Sequence, residues 1–407
     1  MPADSLPLKA GAGLDLLAGV RVLDLTTSIA GPYAGQLLGD LGATVIKIER
    51  PQRGDDCRDW GPPFLDGESL WYLSVNRNKH SVTLDISQPR GRELFASMAG
   101  KADVVLVNLV SRAQRKLGID YATLRAHRHD LIHVSITGFG LEGERADLPC
   151  YDLIAEGYSG VMDMTGEREM PPQKIGTPAA DLLAGQDAAL AVTAALLRRH
   201  RTGQGAQIDV ALVDSMTRFM APRLLPYLGS GELLRRSGGR DSVIAIYQAF
   251  DTADEPLTLG LGNDGIWRRF AEAVGAPELA NDAGFGSNVL RRQQRAELVK
   301  RIAVLLKQQP RAYWLEKFAQ ARVPAGPINR LDEVACDGAL QARGLLYVFD
   351  RNSVRVPQVG LGIAIDGRSE GGNKPPPKLG EDTSSVLGEW LGLADEQIAD
   401  LKRTQVI

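Results

Sequence analysis

The sequence predicts an α/β protein whose large domain holds a doubly wound parallel sheet and whose smaller domain is α+β. The first observation is a strand–helix–strand unit: GVRVLDL (19–25) and TVIKIE (44–49) are short apolar runs, and the glycine-bearing segment between them reads as a helix. The second is that strand-like and helix-like segments continue to alternate, as parallel sheets require. The third is a change to Gly and Arg at 229–240, which marks a domain boundary.

Three further strand-like runs extend the predicted sheet: SVTLDI (81–86), ADVVLVN (102–108) and LIHVSITGFG (131–140). A helix with Pro89 near its first turn follows the first of them, and short helices separate the other two. Ligands of doubly wound sheets bind at the carboxyl ends of the strands, so residues that follow these runs are candidates for a site.

Four segments are predicted along the chain of 407 residues, which is too long for one hydrophobic core. They are a disordered leader (1–17), the large domain (18–228), the small domain (229–330) and a return to the large domain (331–407). Two strand-like runs followed by helix-like segments come after the boundary, so the small domain is expected to be α+β.

Composition excludes several classes of partner. The net charge of −3, without a basic stripe, argues against nucleic-acid binding. The three cysteines lie far apart, which suits a reducing cytoplasm, and no apolar run is long enough to cross a membrane. His127, His129 and His133 are close in sequence, but no Cys, Asp or Glu set at ligand spacing completes a metal site. We therefore expect a cytoplasmic protein without metal, membrane or nucleic acid as a partner.

Asp181 stands directly before a strongly apolar stretch of the chain. Between residues 182 and 197 the only charged residue is Asp187, and the abundance of Ala and Leu predicts a helix. The carboxylate of Asp181 would lie at the helix N-terminus, where free N–H groups and the dipole favour an anion. It is either an N-cap, the commonest role of Asp there, or a carboxylate nucleophile facing a cleft.

Basic residues recur near the predicted crevice: Arg50 follows the second strand, Lys79 precedes the third, and Arg112, Arg115 and Lys116 follow the fourth. Each is also consistent with a solvated surface charge, but their shared position favours a phosphorylated ligand. The glycines of the first turn do not form G-x-G-x-x-G, and neither a phosphate loop nor G-x-S-x-G occurs. The remaining hypothesis is a carboxylate nucleophile that acts on a phosphate-bearing ligand. A coenzyme A (CoA) thioester has both an activated carbonyl and phosphate groups.

Several motifs in order resemble the class III CoA-transferases, the family of formyl-CoA transferase, carnitine CoA-transferase, benzylsuccinate CoA-transferase and α-methylacyl-CoA racemase. The resemblance runs from about residue 17 to 407. The matching pieces are GVRVLDLT, AGPYAGQLLGDLGATVIKIERP, NRNKHSVTLD, ADVVLVN, SITGFG, YDLIAEGYSG, AADLLAGQDAALAVTAALLRR, TGQGAQIDVAL, GNDGIW, VPAGPIN and LGEDTSSVL.

The resemblance implies that Asp181 is the family's nucleophilic aspartate, which forms an acyl-aspartyl anhydride and then an aspartyl-CoA thioester. It implies no metal or redox cofactor; acyl-CoA and a free carboxylic acid are the substrates. It also implies an interlocked dimer, formed with an identical chain or with a paralogous subunit. Positions that match the family's CoA site are Ser28, Ile29, Arg50, Lys79, Asn108 and Lys116.

Two of these positions differ from some family members: Lys116 replaces an arginine, and Ile29 replaces the glutamine of formyl-CoA transferase, which suggests a less polar acyl pocket. Two alternatives remain. A racemase would need a histidine before Asp152, where this chain has Tyr151. A catalytically silent partner subunit is the other. The sequence does not identify the exchanged acids or the role of Tyr151. It also leaves open whether a cluster of arginines is a clamp for a substrate carboxylate or a set of exposed charges: Arg218, Arg223, Arg235, Arg236 and Arg240.

Overall fold

The fold is described from a computed structural model that covers residues 2–9, 11, 13–241, 243–367 and 372–407. The chain divides into two compact units. Unit 1 comprises 1–161, 174–230 and 335–407, and unit 2 comprises 162–173 and 231–334.

The described residues form thirteen strands: β1 (Arg21–Asp24), β2 (Thr44–Glu49), β3 (Phe64–Leu65), β4 (Glu68–Ser69), β5 (Lys79–Thr83), β6 (Val104–Val107), β7 (Ile132–Thr137), β8 (Ala206–Ala211), β9 (Tyr247–Phe250), β10 (Leu257–Gly260), β11 (Ala325–Pro327), β12 (Leu346–Arg351) and β13 (Val354–Val359).

The same residues form nineteen α-helices: α1 (Ala30–Asp40), α2 (Leu70–Ser74), α3 (Pro89–Ala99), α4 (Ser111–Leu117), α5 (Tyr121–Arg125), α6 (Asp152–Ser159), α7 (Val161–Met164), α8 (Ala179–Thr202), α9 (Leu212–Phe219), α10 (Ala221–Ser230), α11 (Asp264–Ala273), α12 (Glu278–Asn281), α13 (Asn288–Gln293), α14 (Arg295–Leu306), α15 (Arg311–Gln320), α16 (Leu331–Ala335), α17 (Gly338–Ala342), α18 (Thr383–Leu391) and α19 (Asp395–Arg403).

Unit 1 is built on a six-stranded sheet in the order β5-β2-β1-β6-β7-β8, in which every neighbouring pair is parallel. Leu23 at the centre lies opposite Ile46 on one side and Val105 on the other, and all three are buried. The chain builds outward from β1 to β5, then returns to β6 and builds in the other direction. This reversal creates a crevice at the carboxyl ends of β1 and β6, and it confirms the predicted doubly wound α/β fold.

Unit 2 contains the antiparallel sheet β11-β10-β9 and is α+β. Its core is aromatic: Trp267 stacks on Phe270, and Trp314 stacks on Phe318, at centroid separations of 5.9 and 5.7 Å. Such offset ring pairs stabilise a small core beyond their buried area.

The main part of unit 2 spans 231–334, against the expected 229–330, and the structure differs from the expected segments in two further respects. Residues 162–173 join unit 2, where the Gly238 N–H donates to the Gly166 carbonyl at 2.9 Å. Near the chain start, the Lys9 N–H donates to the Val348 carbonyl at 2.8 Å, and the Val348 N–H donates to Pro7. Part of the segment expected to be a disordered leader therefore pairs with β12. Both differences are long-range pairings, which local periodicity does not encode.

Helix α8 packs closely against α1 through small residues. Ala180, Ala184, Ala188 and Val192 are buried, and Gly185 lies between them. Leu190 and Leu197, on the opposite side, are 64% and 60% exposed, so within one chain only one face of this helix is covered. By length and apolar composition α8 alone among the described helices meets the minimum for a membrane span. Such a helix is also common in protein cores, and here it packs on α1 beside a parallel sheet.

Replacing Gly185 with alanine is expected to lower the free energy of unfolding by about 1–3 kcal/mol. A Cβ at this position would lie 2.6 Å from the backbone oxygen of Ala30 and 3.0 Å from the Tyr33 ring, so α1 and α8 would have to separate. Gly388→Ala in α18 is the matched control, because its Cβ would meet only the Leu393 oxygen at 3.8 Å. Denaturant unfolding should show the loss for Gly185 only; equal curves for the two variants would contradict the close-packing argument.

Candidate active site

Asp181 is the third residue of α8 and does not cap the helix; the N-cap position is Pro178. The cap comes from α6 instead. Oδ1 of Asp152 accepts from the backbone N–H groups of Ala180 at 2.8 Å and Asp181 at 3.3 Å. The capping interpretation of Asp181 is therefore wrong, because a carboxylate 29 residues earlier satisfies those donors.

The Asp181 carboxylate accepts no hydrogen bond and forms no ion pair within the described chain. Burial raises its pKa from the usual 3.8 to about 7, and the negative charge of Asp152 raises it further in the same direction. A carboxylate with no hydrogen-bond donor is poorly stabilised as an anion, and is therefore more basic and more nucleophilic than a solvated one.

Glu156, one turn after Asp152 on α6, is a third carboxyl group in this region that sequence reasoning missed. It is fully buried; Oε2 accepts from the Ile175 N–H at 2.9 Å, and Oε1 has no partner among the described residues. Burial raises the pKa of Glu156, and Asp152 contributes to the increase. Its bond to Ile175 fixes the segment that leads into α8. The i, i+4 spacing with Asp152 was the available signal.

Cys150, two residues before α6, is close enough to Asp181 for the carboxylate charge to act on its thiol. Burial and then the charge of Asp181 raise the pKa of its thiol to about 11, so it stays protonated near neutral pH. A Cβ on Gly138, just after β7, would come within 2.1 Å of the Cys150 Cβ. Gly138 therefore allows the segment before α6 to approach the carboxyl end of the sheet. A thiol with such a high pKa is a poor nucleophile near neutral pH, and the sequence likewise places Cys150 in no recognisable nucleophile motif.

A cavity of about 360 Å³ opens at the carboxyl ends of the central strands of unit 1. Its walls come from residues that end or follow β1, β2, β5 and β6 and are mostly apolar, and its polar lining comprises Thr27, Ser87, Arg50 and the acidic residues Glu49, Asp55, Asp56 and Asp85. Its lining includes Leu25, Thr27, Ile48, Arg50, Asp56, Leu84, Ile86 and Leu109. A mostly apolar cavity with a few polar groups is typical of a small-molecule or cofactor site.

Three of the predicted CoA-site residues lie at or beside this cavity. Arg50 lines it and pairs with Asp56. The Asn108 amide exchanges hydrogen bonds with the backbone of Thr27, at 2.8 and 3.2 Å. Lys116 is exposed on α4, whose neighbour Leu117 lines the cavity.

Ser28 and Ile29 immediately precede α1. Ser28 has a φ of 71°, which is unfavourable for a serine, and its N–H donates to Oδ1 of Asp55 at 2.9 Å. Asp55 in turn forms a buried ion pair with Lys47, at 2.8 Å. Ile29 is only 2% exposed and packs in an apolar cluster that Leu182 of α8 also contacts. In this structure Ile29 therefore joins the starts of α1 and α8, and does not line an open acyl pocket.

Lys79 is placed where it cannot contact a phosphate. Its ammonium group is buried and donates to Asp24 at 2.8 Å, to the Pro32 carbonyl at 2.7 Å and to Asn76 at 2.9 Å. All three donors of the ammonium group are occupied. Burial lowers the pKa of Lys79 to about 8 despite the ion pair with Asp24. The predicted CoA-site role of Lys79 is therefore replaced by a structural one beneath the β1–α1 turn.

No cluster of three or more His, Cys, Asp or Glu side chains that could hold a metal ion occurs in the described ranges. Of the three neighbouring histidines, His133 is buried and bonds through Nε2 to the Ile119 oxygen at 2.8 Å. The position before Asp152 is occupied by Tyr151, which is exposed.

A sequence model for CoA-transferase family III matches residues 17–383. The chain is 38% identical over 380 residues to succinate–glutarate CoA-transferase of Agrobacterium fabrum, covering 92% of this chain and 95% of that protein. It is 37% identical over 392 residues to succinyl-CoA:glutarate CoA-transferase of Mus musculus, covering 96% and 90%. The crystal structure of a CaiB/BaiF family protein from Brucella suis superposes with a TM-score of 0.81 at 37% identity, covering 93% of this chain and all of that chain.

Proposed function

Because the chain belongs to CoA-transferase family III, we propose that it moves CoA from succinyl-CoA to a free dicarboxylic acid such as glutarate. The observation that carries the proposal is the Asp181 carboxylate, which is half-buried at the start of α8 without a hydrogen-bond donor and has a pKa of about 7. The names of the two relatives support succinyl-CoA as donor and glutarate as acceptor.

In the proposed reaction, an Asp181 oxygen attacks the thioester carbonyl and the carbon–sulfur bond breaks. The CoA thiolate is released, and an acyl-aspartyl anhydride is formed. The thiolate attacks the aspartyl carbonyl and releases the donor acid, which gives an aspartyl-CoA thioester. The acceptor carboxylate then attacks this thioester, and the thiolate attacks the acyl carbonyl of the second anhydride. Asp181 is regenerated and no redox equivalent is needed. Asp152 occupies two N–H groups of α8, so other donors must stabilise the oxyanions.

We assign the cavity at the carboxyl ends of β1, β2 and β5 to CoA. Its apolar walls suit the adenine ring, and we assign the phosphate contacts to Arg50, which lines it, and to Lys116 on the neighbouring helix. Ser28 and Asn108 hold the turn after β1, which forms the side of the cavity nearest α1.

The two alternatives are less well supported. A racemase would need a second base beside Asp181, and Tyr151 with its exposed phenol replaces the histidine. A silent subunit would have no need for a carboxylate whose pKa is raised to about 7.

We further propose a dimeric, cytoplasmic enzyme. Exposed apolar side chains on α8, α9 and α10 support the dimer, since such a surface is usually covered by a partner: Leu190, Leu197, Phe219, Leu225 and Leu228. The three cysteines are free thiols, as is usual in a reducing compartment.

In the deciding experiment, each reaction contains the protein, succinyl-CoA and one acid, which is glutarate, oxalate or butyrate. All acyl-CoA species are followed by mass spectrometry. We expect glutaryl-CoA and free succinate to appear in equal amounts. A parallel reaction of a chiral 2-methylacyl-CoA in D₂O tests the racemase, which would introduce deuterium. Deuterium uptake, or the absence of a new acyl-CoA with every acid, would contradict the proposal.

A further inference from the structure

Glu156, in the middle of α6, is a fully buried acid that the proposed reaction does not use. Its Oε2 accepts a hydrogen bond from the backbone N–H of Ile175 at 2.9 Å. No donor in the described part of the chain reaches its other oxygen, Oε1. A carboxylate ion in such surroundings is poorly stabilised, so the protonation state of this group needs a physical explanation.

The side chain of Glu156 also makes a hydrogen bond with Asp152, one turn earlier on the same helix. Every hydrogen bond needs a donor, and two carboxylate ions offer only acceptors. One of the two carboxyl groups must therefore carry a proton. The spacing of four residues places both side chains on one face of α6, and this helix packs against α8.

The surroundings of the two carboxyl groups decide which of them holds the proton. Oδ1 of Asp152 accepts from two N–H groups at the start of α8, where the helix dipole also favours a negative charge. Glu156 has one such donor and is completely buried. Burial raises the pKa of Glu156, and Asp152 adds to the increase against the opposing effect of Ile175. The proton is therefore more stable on Glu156 than on Asp152.

Neighbouring charges do not reverse this order. Lys174 is exposed, and it lowers the pKa of Glu156 less than Asp152 raises it. Arg218 is already paired with a carboxylate of α8. The adjoining segments bring further titratable or charged groups: Cys150 and Tyr151 before α6, Lys174 before α8, Asp181 and Asp187 on α8, and Asp214 and Arg218 on α9. The two cations in this set leave the proton where burial places it.

We propose that Glu156 is a positioning residue for the nucleophile: as a neutral carboxylic acid it donates a hydrogen bond to Asp152 and holds that carboxylate on the first N–H groups of α8. This inference rests on the proposed function and deepens it, because Asp152 in turn raises the basicity of Asp181. The donated hydrogen bond offsets part of the charge of Asp152. Asp181 is therefore ionised at a lower pH than it would be beside a carboxylate without this donor.

The test compares two replacements of Glu156 that have nearly its size, with succinyl-CoA and glutarate as substrates. Glu156→Gln keeps an oxygen for Ile175 and an N–H donor for Asp152, as the neutral acid does. It should retain more than about half of the wild-type kcat/KM, with the ascending limb of the pH profile in place. Glu156→Met removes both polar atoms. It should lower kcat/KM at pH 7 by about tenfold and move the limb to higher pH, because Asp152 loses its donor.

An ionised Glu156 would give a different result. Glutamine would then remove a negative charge, and the limb of the Glu156→Gln enzyme would move to lower pH. That shift, or a wild-type profile for Glu156→Met, would overturn the proposal.

The double variant shows whether Glu156 acts through Asp152. Because the proposed effect passes through the charge of Asp152, Glu156→Met should move the limb of an Asp152→Asn enzyme far less than that of wild type. An equal shift in both backgrounds would show that Glu156 acts on the nucleophile without Asp152, and would also overturn the proposal.

Infrared spectroscopy of the full-length protein needs no turnover, so it separates this inference from the proposed function. The C=O stretch of a carboxylic acid lies apart from the bands of carboxylates and amides. At pH 8, above the pKa of about 7 of Asp181, wild-type protein should show such a band that Glu156→Gln lacks. Glu144→Gln is the matched control, since Glu144 is exposed and should contribute no such band.

The two readouts distinguish the two failures. If the band is lost in Glu156→Gln but no acid accepts CoA from succinyl-CoA, the proton is on Glu156 and only the proposed function fails. If glutaryl-CoA forms but wild type and Glu156→Gln have the same infrared spectrum in this region, the proposed function stands and the role of Glu156 is overturned. The infrared comparison also decides the question if Glu156→Met does not fold.

Discussion

Replacement of Asp181 by asparagine is expected to lower the kcat of CoA transfer by more than about 10⁴-fold, as loss of a covalent nucleophile does in other enzymes. The amide has nearly the same shape but cannot form the anhydride. The measurement is glutaryl-CoA formation from succinyl-CoA. Asp187→Asn, on the same helix, is the control, because its carboxylate pairs with Ser215 and Arg218 away from this group. Retention of more than a few per cent of activity by Asp181→Asn would remove this residue from the mechanism.

The loss is not expected to come from unfolding. Burial raises the pKa of Asp181 from 3.8 to about 7, so its ionised carboxylate destabilises the folded state. This cost is fully present once the pH has risen through 7. Asparagine carries no such penalty. Thermal unfolding of Asp181→Asn should therefore show a stability equal to or greater than wild type at pH 8, by up to a few kcal/mol, with a smaller difference at pH 5. A hydroxylamine-trapped adduct should form on wild type only.

Activity is expected to fall by about tenfold per pH unit below neutrality, because the attacking carboxylate must be ionised and its pKa is about 7. The kcat/KM profile of the free enzyme should have an ascending limb near pH 7. Glutarate itself stays largely ionised until lower pH, so it does not produce this limb.

Asp152→Asn identifies the group responsible for the limb. Asparagine keeps a side-chain oxygen that can cap α8, but it removes the negative charge that raises the pKa of Asp181. The ascending limb should therefore move to lower pH. If it stays in place while the variant remains folded, either the limb belongs to another group or Asp152 does not act on Asp181.

The parallel sheet could be predicted from sequence because each strand is a short buried run with the next helix beside it, and both features are local. The position of Asp181 at the start of an apolar helix was predictable for the same reason. Its capping partner was not, since Asp152 is 29 residues away and comes into contact only through the packing of α6 against α8. The burial of Glu156 could not be predicted from the sequence either, because it depends on contact with the segment around Ile175.

Lys79 shows where reasoning from position in sequence failed. A lysine at the edge of a predicted strand is usually solvated, and a family match suggested phosphate contact. The structure turns the side chain into the interior, where Asp24, Pro32 and Asn76 occupy its donors. Sequence alone could not reveal this pairing, because Asp24 and Lys79 are 55 residues apart. The cluster of Arg235, Arg236 and Arg240 was visible in the sequence, but Arg168, which lines the same cavity in unit 2, comes from a separate part of the chain.

One oxygen atom of Asp152 ties the architecture of α8 to the chemistry of its third residue, since it caps the helix while its charge makes that residue more basic. A substitution of Asp152 that lacks a side-chain acceptor removes the cap together with the charge, whereas asparagine removes the charge alone. The cap of α8 and the basicity of the attacking group are therefore set by one side chain, and only a substitution that keeps an acceptor at this position separates them.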